Sequence, residues 1–153
     1  MVISGGEPLN QQKRLVPLVE ALTGHGIEIE IETNGTRVPD RKLVEAGVRF
    51  NVSPKLSHAG DPAAKRIIPV ALKSLAALES SAFKFVCRNS ADLDEVAALV
   101  EASAITSVWV MPEGQNSVDV ERHQRQLADE VVERGWNITT RLHTLIWGHK
   151  RGV

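Results

Sequence analysis

The sequence predicts an α/β fold built around a mainly parallel sheet. Short β-branched and apolar runs alternate along the whole chain with segments of helical periodicity, a pattern typical of repeated βα units. The chain has 153 residues and 42% of them are hydrophobic, which is enough to bury a core of ordinary domain size. We therefore expect one domain over residues 1–153.

Six segments have the composition of strands and are bounded by turn residues. In chain order they are residues 2–4, 27–33, 48–52, 83–87, 107–111 and 136–142. Trp109 lies in the fifth segment, and the simplest expectation for it is a place in the core.

Between these segments, apolar residues recur at helical spacing, so each predicted helix can cover one face of the sheet. The clearest stripes are Leu15, Leu18, Val19 and Leu22; Ile68, Ala71, Leu72 and Leu75; and Leu93, Val96, Ala97 and Val100. Ser90 and Asn116, each followed shortly by an aspartate, predict helix starts, and Gly24 with Gly26 predicts the end of the first helix. Residues 57–62 are rich in turn formers and predict an exposed loop, which could be a lid.

Charge and hydropathy narrow the classes of partner. The chain carries 18 Lys+Arg and 19 Asp+Glu, a formal charge of -1, so nothing in the bulk charge favours nucleic acid or an anionic membrane. No apolar run approaches the roughly 20 residues of a membrane-spanning helix, and the first residues do not resemble a signal peptide. We expect a cytoplasmic protein whose partners are small molecules or protein.

Cys87 is the single cysteine of the chain. One thiol excludes an internal disulfide, and it also excludes any multi-cysteine metal or cluster site built from these residues alone. Because Cys87 lies inside the fourth strand segment, we expect a small buried core residue.

Polar and glycine-rich sequences follow several of the predicted strands. In parallel sheets, ligands bind outside the carboxyl ends of the strands, so these residues are the first candidates for a site. The sequences are Ser4-Gly5-Gly6-Glu7-Pro8, Glu32-Thr33-Asn34-Gly35-Thr36, Ser53-Pro54-Lys55 and Met111-Pro112-Glu113-Gly114.

These residue types suit a ligand that carries an amino-acid group. The backbone at Gly5 and Gly6 can approach a ligand closely and its carbonyls can accept hydrogen bonds from an ammonium, with Glu7 adding a carboxylate. Lys55 or Asn34 could meet a carboxylate or a ribose. Taken singly, each sequence also has a plain structural interpretation: an ordinary turn, or a proline that opens a helix.

Taken together and in this order, the sequences resemble the radical S-adenosylmethionine (SAM) enzymes, and within them the 7-carboxy-7-deazaguanine synthase family of queuosine and deazapurine biosynthesis. Residues 141–148, Arg-Leu-His-Thr-Leu-Ile-Trp-Gly, and residues 83–86, Phe-Lys-Phe-Val, strengthen the match to that subgroup. The resemblance covers nearly the whole chain. It implies a partial (β/α) barrel of the radical SAM type that holds strands two to six plus a C-terminal strand.

The resemblance also implies roles for individual residues. Glu7 would lie near the methionyl ammonium of SAM, Ser4 would face the pterin substrate, and the C-terminal end would fold over that substrate. With the candidates from the strand ends, the predicted cofactor-binding residues are Gly5, Gly6, Glu7, Asn34, Ser53, Pro54, Lys55, Met111, Pro112, Glu113 and Gly114. The predicted substrate-binding residues are Ser4, His143 and Val153. No residue is predicted to be catalytic or to bind a metal.

Members of this family open with a cysteine-rich loop whose three thiolates hold a 4Fe-4S cluster, beside a threonine used for magnesium. The 153 residues begin at what resembles the second barrel strand, so we expect the C-terminal portion of a radical SAM core. Cluster and magnesium are then expected only if the N-terminal segment is supplied. The full enzyme would be a lyase that converts 6-carboxy-5,6,7,8-tetrahydropterin to 7-carboxy-7-deazaguanine; this chain alone is expected to be inactive. A family-like homodimer is a further expectation.

Two alternatives stay open. The chain could be a non-catalytic α/β module, a shortened homologue that binds SAM, a pterin or another protein without turnover. It could also belong to another radical SAM subgroup such as an activating enzyme, which shares Gly-Gly-Glu-Pro but does not predict the sequence of residues 141–148. His143 has a functional and a packing interpretation, whereas His25, His58, His123 and His149 are expected at the surface.

Overall fold

The structure is a computed structural model that describes residues 1–148 and 150. The described residues form six strands: β1 (Val2–Ile3), β2 (Glu30–Thr33), β3 (Arg49–Val52), β4 (Ser81–Cys87), β5 (Val108–Pro112) and β6 (Asn137–Ile138). The α-helices are α1 (Gln12–Gly24), α2 (Arg41–Glu45), α3 (Ala63–Arg66), α4 (Pro69–Ala76), α5 (Ser90–Ser103), α6 (Ser117–Glu133) and α7 (Leu142–Trp147). Short 3-10 turns lie at Pro8–Gln11 and Ser57–Ala59.

The strands form one parallel sheet in the order β1-β2-β3-β4-β5-β6. Each strand therefore pairs with its neighbour in sequence, which is the arrangement of a barrel wall wound in one direction. The predicted α/β class and parallel sheet are confirmed.

Most of the predicted boundaries agree with the structure to within three residues. Asn116 caps α6 through a hydrogen bond from Asp119 N to its Oδ1 (2.9 Å), as predicted. The cap of α5 is Asn89, one residue earlier than expected from Ser90, and α1 ends at Gly24.

The prediction of a strand over residues 136–142 is largely wrong. Only Asn137–Ile138 are extended, and Leu142 opens α7 instead of closing a strand. The carbonyl of Arg141 accepts the N–H of Thr144 (2.9 Å) and of Leu145 (3.1 Å), which starts the helix. A short apolar run has no period that distinguishes a strand from a helix, and here the helix forms.

The two faces of the sheet differ in burial. One face carries the core, with Ile31, Phe50, Val52, Phe83, Phe85 and Val110 at most 1% exposed. Residues that alternate with these, among them Glu32, Asn51 and Lys84, are half-buried. Trp109 is in register with Lys84 on this second face and is 38% exposed, so its predicted place in the core is wrong. The sheet therefore has an apolar side and a polar side, as alternation along a strand requires.

None of the helices in the described part of the chain is long and apolar enough to cross a membrane.

Candidate functional site

A cavity of about 260 Å³ opens at the carboxyl ends of the first strands, on the polar side of the sheet. Its walls come from β2, β3 and β4 and from the loops that follow β1, β2 and β3. The lining residues are Ser4, Gly5, Gly6, Glu32, Thr33, Asn34, Asn51, Ser53, Lys55 and Lys84. The cavity thus brings together six of the predicted site residues: Ser4, Gly5, Gly6, Asn34, Ser53 and Lys55.

Gly5 and Gly6 form the wall after β1. Both have positive φ, 101° and 57°, a conformation that favours glycine. A Cβ built on either residue would have no heavy atom within 4 Å, so each borders open space. A ligand in the cavity can therefore reach the backbone of this loop.

The carboxylate of Glu7 connects the loop after β1 to the loop after β2 through hydrogen bonds. Its Oε1 accepts the N–H of Leu9 (3.0 Å) and the hydroxyl of Thr33 (2.8 Å), and its Oε2 accepts the N–H of Asn34 (2.7 Å). The carboxylate also caps the 3-10 turn that begins at Pro8. Glu7 is not among the residues that line the cavity, and its predicted contact with an ammonium stays a prediction.

Asn34 combines a turn with a place in the cavity wall. Its Oδ1 accepts the N–H (3.0 Å) and the hydroxyl (2.6 Å) of Thr36, the pattern of an Asx-turn. The side-chain oxygen is therefore engaged, and the NH₂ group is the donor left for a ligand. The next residue, Gly35, has φ of 76°, and a Cβ there would lie 2.8 Å from Leu72 Cδ2. The plain turn interpretation is confirmed here, and a role of Asn34 in ligand binding stays a prediction.

The cavity floor carries charges of both signs. Ser4 Oγ donates to Glu32 Oε2 at 2.7 Å, and Lys84 Nζ lies 3.9 Å from Glu32 Oε1. Lys55 adds a second cation at the end of β3. A zwitterionic ligand therefore finds a carboxylate and ammonium groups within one cavity.

Four cavity residues were not among the predicted site residues: Glu32, Thr33, Asn51 and Lys84. All four lie within strands, and the prediction quoted Glu32 and Thr33 only as part of the sequence of residues 32–36. The signal that could have found them is the alternation of polar and apolar residues in the second, third and fourth strands.

The turn of residues 111–114 lies at the end of β5 and does not line this cavity. It is firmly held: Glu113 N donates to Cys87 O (2.8 Å), and Arg141 Nη1 donates to Gly114 O (2.7 Å). His123 Nδ1 lies 2.7 Å from Glu113 O, and its side chain is only 14% exposed, so the expected surface position of His123 is wrong. Roles in cofactor binding for Met111, Pro112, Glu113 and Gly114 stay predictions.

Two further predicted residues, Pro54 and His143, do not line the cavity, and a third is not described. Pro54 is buried next to Ser53. His143 is exposed on α7, so its proposed contact with substrate stays a prediction. Val153 lies outside the described residues, as does His149.

Cys87 is fully buried, as predicted. Burial, and then the charges of Asp92 and Glu95, raise the pKa of its thiol from 9.0 to about 12. Within residues 1–148 and 150, no group of three or more His, Cys, Asp or Glu side chains could hold a metal ion. With Cys87 as the one cysteine and its thiol buried, the described residues do not supply the three thiolates of an iron-sulfur cluster.

Comparison with characterised proteins gives a consistent result over nearly the whole chain. No protein-family model matches it. The chain is 36% identical over 155 residues to a 7-carboxy-7-deazaguanine synthase of Pyrobaculum aerophilum, covering 99% of this chain and 67% of the relative. It is 35% identical over 153 residues to the synthase of Hyperthermus butylicus, covering 95% of this chain and 64% of the relative. The chain spans about two thirds of the length of the curated relatives that it matches.

Among solved structures, the fold is similar to SuiB of Streptococcus suis. The structure of SuiB bound to S-adenosylmethionine gives a TM-score of 0.62 at 15% identity, covering 92% of this chain and 39% of SuiB. SuiB bound to its precursor peptide SuiA gives a TM-score of 0.63. At this identity the likeness concerns the fold alone, and it agrees with a partial barrel of the radical SAM type.

Proposed function

Because this chain belongs to the 7-carboxy-7-deazaguanine synthase family, we propose that it forms the part of such an enzyme that binds S-adenosylmethionine and a small pterin substrate. The observation that carries the proposal is the cavity itself. It lies at the carboxyl ends of parallel strands and joins an open glycine backbone to a carboxylate and two lysines.

The chemistry of the lining suits the methionyl end of SAM, which carries one ammonium and one carboxylate. The carbonyls of Gly5 and Gly6 and the carboxylate of Glu32 are acceptors for the ammonium. Lys55 and the amide NH₂ of Asn34 are donors for the carboxylate. Ser4, whose hydroxyl donates to Glu32, also lines the cavity and is the proposed contact with the pterin.

The chain's own contribution is binding and orientation. When bound, SAM supplies a source of a 5'-deoxyadenosyl radical upon reductive cleavage, and the protein positions the reacting groups and excludes water. The full reaction would convert 6-carboxy-5,6,7,8-tetrahydropterin to 7-carboxy-7-deazaguanine.

The cluster of the family would need ligands outside these 153 residues, since the chain has one cysteine and that thiol is buried. By resemblance, its magnesium would need the threonine beside the cysteine-rich loop. We therefore expect no turnover by the chain alone. The proposed domain is the C-terminal portion of a radical SAM core.

The first experiment measures SAM binding to the chain by calorimetry. Lys55→Met and Glu32→Gln should each weaken binding about tenfold, the loss of one charge-assisted contact. Lys42→Met removes an exposed lysine of α2 that is not part of the cavity lining and should leave affinity unchanged. Equal affinities for all four proteins would contradict the proposed site.

The second experiment separates an enzyme from a non-catalytic binding module. A segment carrying three cysteines is added, iron and sulfide are reconstituted anaerobically, and the pterin is supplied under reducing conditions. Formation of 5'-deoxyadenosine supports the synthase. Tight SAM binding without 5'-deoxyadenosine would favour the binding module, for which the buried single cysteine is the supporting observation.

The homodimer and the cytoplasmic location stay predictions from the sequence.

A further inference from the structure

A largely buried ion pair connects the segment that follows Lys55 to α5. Arg66, at the end of α3, places Nη1 2.6 Å from Glu95 Oε1, and the two side chains are only 10% and 22% exposed. Both oxygens of Glu95 also accept the N–H of Ser57, at 3.2 and 2.9 Å. The carboxylate of Glu95 thus joins Ser57 to Arg66, near the two ends of the segment between β3 and α4.

The same guanidinium reaches the cavity segment directly. Arg66 Nη1 donates to the backbone carbonyl of Lys55 at 2.9 Å while it is paired with Glu95. The backbone near Lys55 is therefore held at two points. Arg66 binds the carbonyl of Lys55, and Glu95 binds the N–H of Ser57, two residues further along the chain. Neither Arg66 nor Glu95 lines the 260 Å³ cavity.

Lys55 borders two cavities. The first is the 260 Å³ cavity described above, here called the main cavity, and the second has a volume of about 180 Å³ and is also lined by Asn34, Thr36, Asp61, Lys65 and Arg66. Because the lysine side chain is flexible, the position of its backbone limits which of the two cavities its ammonium can occupy. Preorganisation of that backbone reduces the cost of ordering the lysine when a ligand binds.

We propose that Arg66 and Glu95 are positioning residues that fix the backbone of Lys55, so that its ammonium is directed into the main cavity. The inference rests on the proposed function only in taking SAM as the ligand that Lys55 contacts.

The state of Glu95 is consistent with this role. Partial burial alone would raise the pKa of Glu95, but the hydrogen bonds from Ser57 and Arg66, together with the charge of Arg66, hold it below its usual value. The carboxylate is therefore ionised at neutral pH and available to both partners.

The test is a double-mutant cycle on SAM affinity. Glu95→Gln should weaken binding about fivefold in the otherwise unchanged chain, but less than twofold when Lys55→Met is already present, because the effect passes through Lys55. Arg66→Lys keeps the charge and should lie between the unchanged chain and Glu95→Gln. The matched control is Asp94→Asn on the same helix, whose partner is Arg134 and whose side chain is 73% exposed.

A second measurement does not need the ligand. In the free protein, Glu95→Gln should speed amide hydrogen exchange of Ser57 about tenfold, and Asp94→Asn should not. Equal losses of SAM affinity in both Lys55 backgrounds, or unchanged exchange at Ser57, would overturn the positioning role. If the unchanged chain fails to bind SAM, the proposed function fails, and unchanged exchange at Ser57 would still overturn the positioning role by itself.

Discussion

The carboxylate of Glu7 accepts the backbone N–H of Asn34 at 2.7 Å, so the loop after β1 is bonded directly to the loop after β2. With the bonds from Thr33 and Leu9, three donors converge on this one side chain. The geometry of the cavity wall therefore depends on a residue that does not line it.

Glu7→Gln should reduce the free energy of unfolding by about 2–3 kcal/mol, since an amide cannot accept all three bonds and its NH₂ group opposes a backbone donor. Urea denaturation measures the loss. Glu20→Gln, an exposed carboxylate on α1, should change stability by less than about 0.5 kcal/mol. Unchanged stability together with a large loss of SAM affinity would instead indicate that Glu7 binds the ammonium.

Gly35→Ala should be more destabilising than Gly47→Ala. The two glycines have nearly equal φ, 76° and 75°, so the backbone strain of alanine is similar. At Gly35 the new Cβ would lie 2.8 Å from Leu72 Cδ2 and 3.0 Å from Val52 Cγ1, whereas at Gly47 it meets nothing within 4 Å. We expect a difference of about 1–3 kcal/mol between the two variants in thermal or urea unfolding. Equal losses would show that the turn after β2 can move away from the core.

The thiol of Cys87 should make stability fall at alkaline pH. Its pKa is raised from 9.0 to about 12 in the folded chain, so between these values the unfolded chain loses a proton that the folded chain keeps. The free energy of unfolding then decreases with pH by up to about 1.4 kcal/mol per unit from this group.

The measurement is urea denaturation under reducing conditions between pH 8 and pH 10.5, for the unchanged chain and for Cys87→Ala. The alanine variant should lose this part of the slope, although it is less stable throughout because a buried sulfur is removed. Identical slopes in the two proteins would contradict the raised pKa.

Glu32→Gln should affect ligand binding far more than folding. The pair with Lys84 is 3.9 Å apart and its side chains are 42% and 24% exposed, so the pair itself contributes about 1 kcal/mol or less to stability. Affinity for SAM should fall about tenfold for the lost charge-assisted contact. The matched control is Glu28→Gln, which breaks the exposed pair with Arg49 just before β2 and should leave affinity unchanged. A stability loss above about 2 kcal/mol for Glu32→Gln would indicate a structural role instead.

The sequence was sufficient for the order of the six strands and for the helices α1, α4, α5 and α6, because the period of apolar residues reports which face is buried. The sequence was insufficient where the burial of a residue depends on which other elements pack against its face of the sheet. Trp109 has the composition of a core residue, yet it lies on the face opposite the helices. His58 was expected at the surface, but its Nδ1 lies 3.1 Å from the buried Asp92, and its side chain is 14% exposed. His58 and Asp92 are 34 positions apart in the sequence, so no local pattern predicts their contact.

For the candidate site too, residues at strand ends could be predicted from the sequence, whereas residues that depend on long-range contacts could not. Gly5, Gly6 and Lys55 were identifiable because strand ends meet at one edge of a parallel sheet. Glu32 and Lys84 were not assigned as site residues because they lie inside strands. Arg66 and Glu95 could not be predicted because their connection to Lys55 exists only in three dimensions.

The sequential strand order has a consequence for how the chain acquires its structure. Each of the strands β2 to β6 forms hydrogen bonds with the strand that precedes it in the chain, so each of these βα units is synthesised after the strand with which it pairs. Among the six described strands, the pairing partners are always consecutive, which keeps the loops that must close during folding to about the length of one unit. The sheet can therefore assemble in step with synthesis, from β1 towards β6.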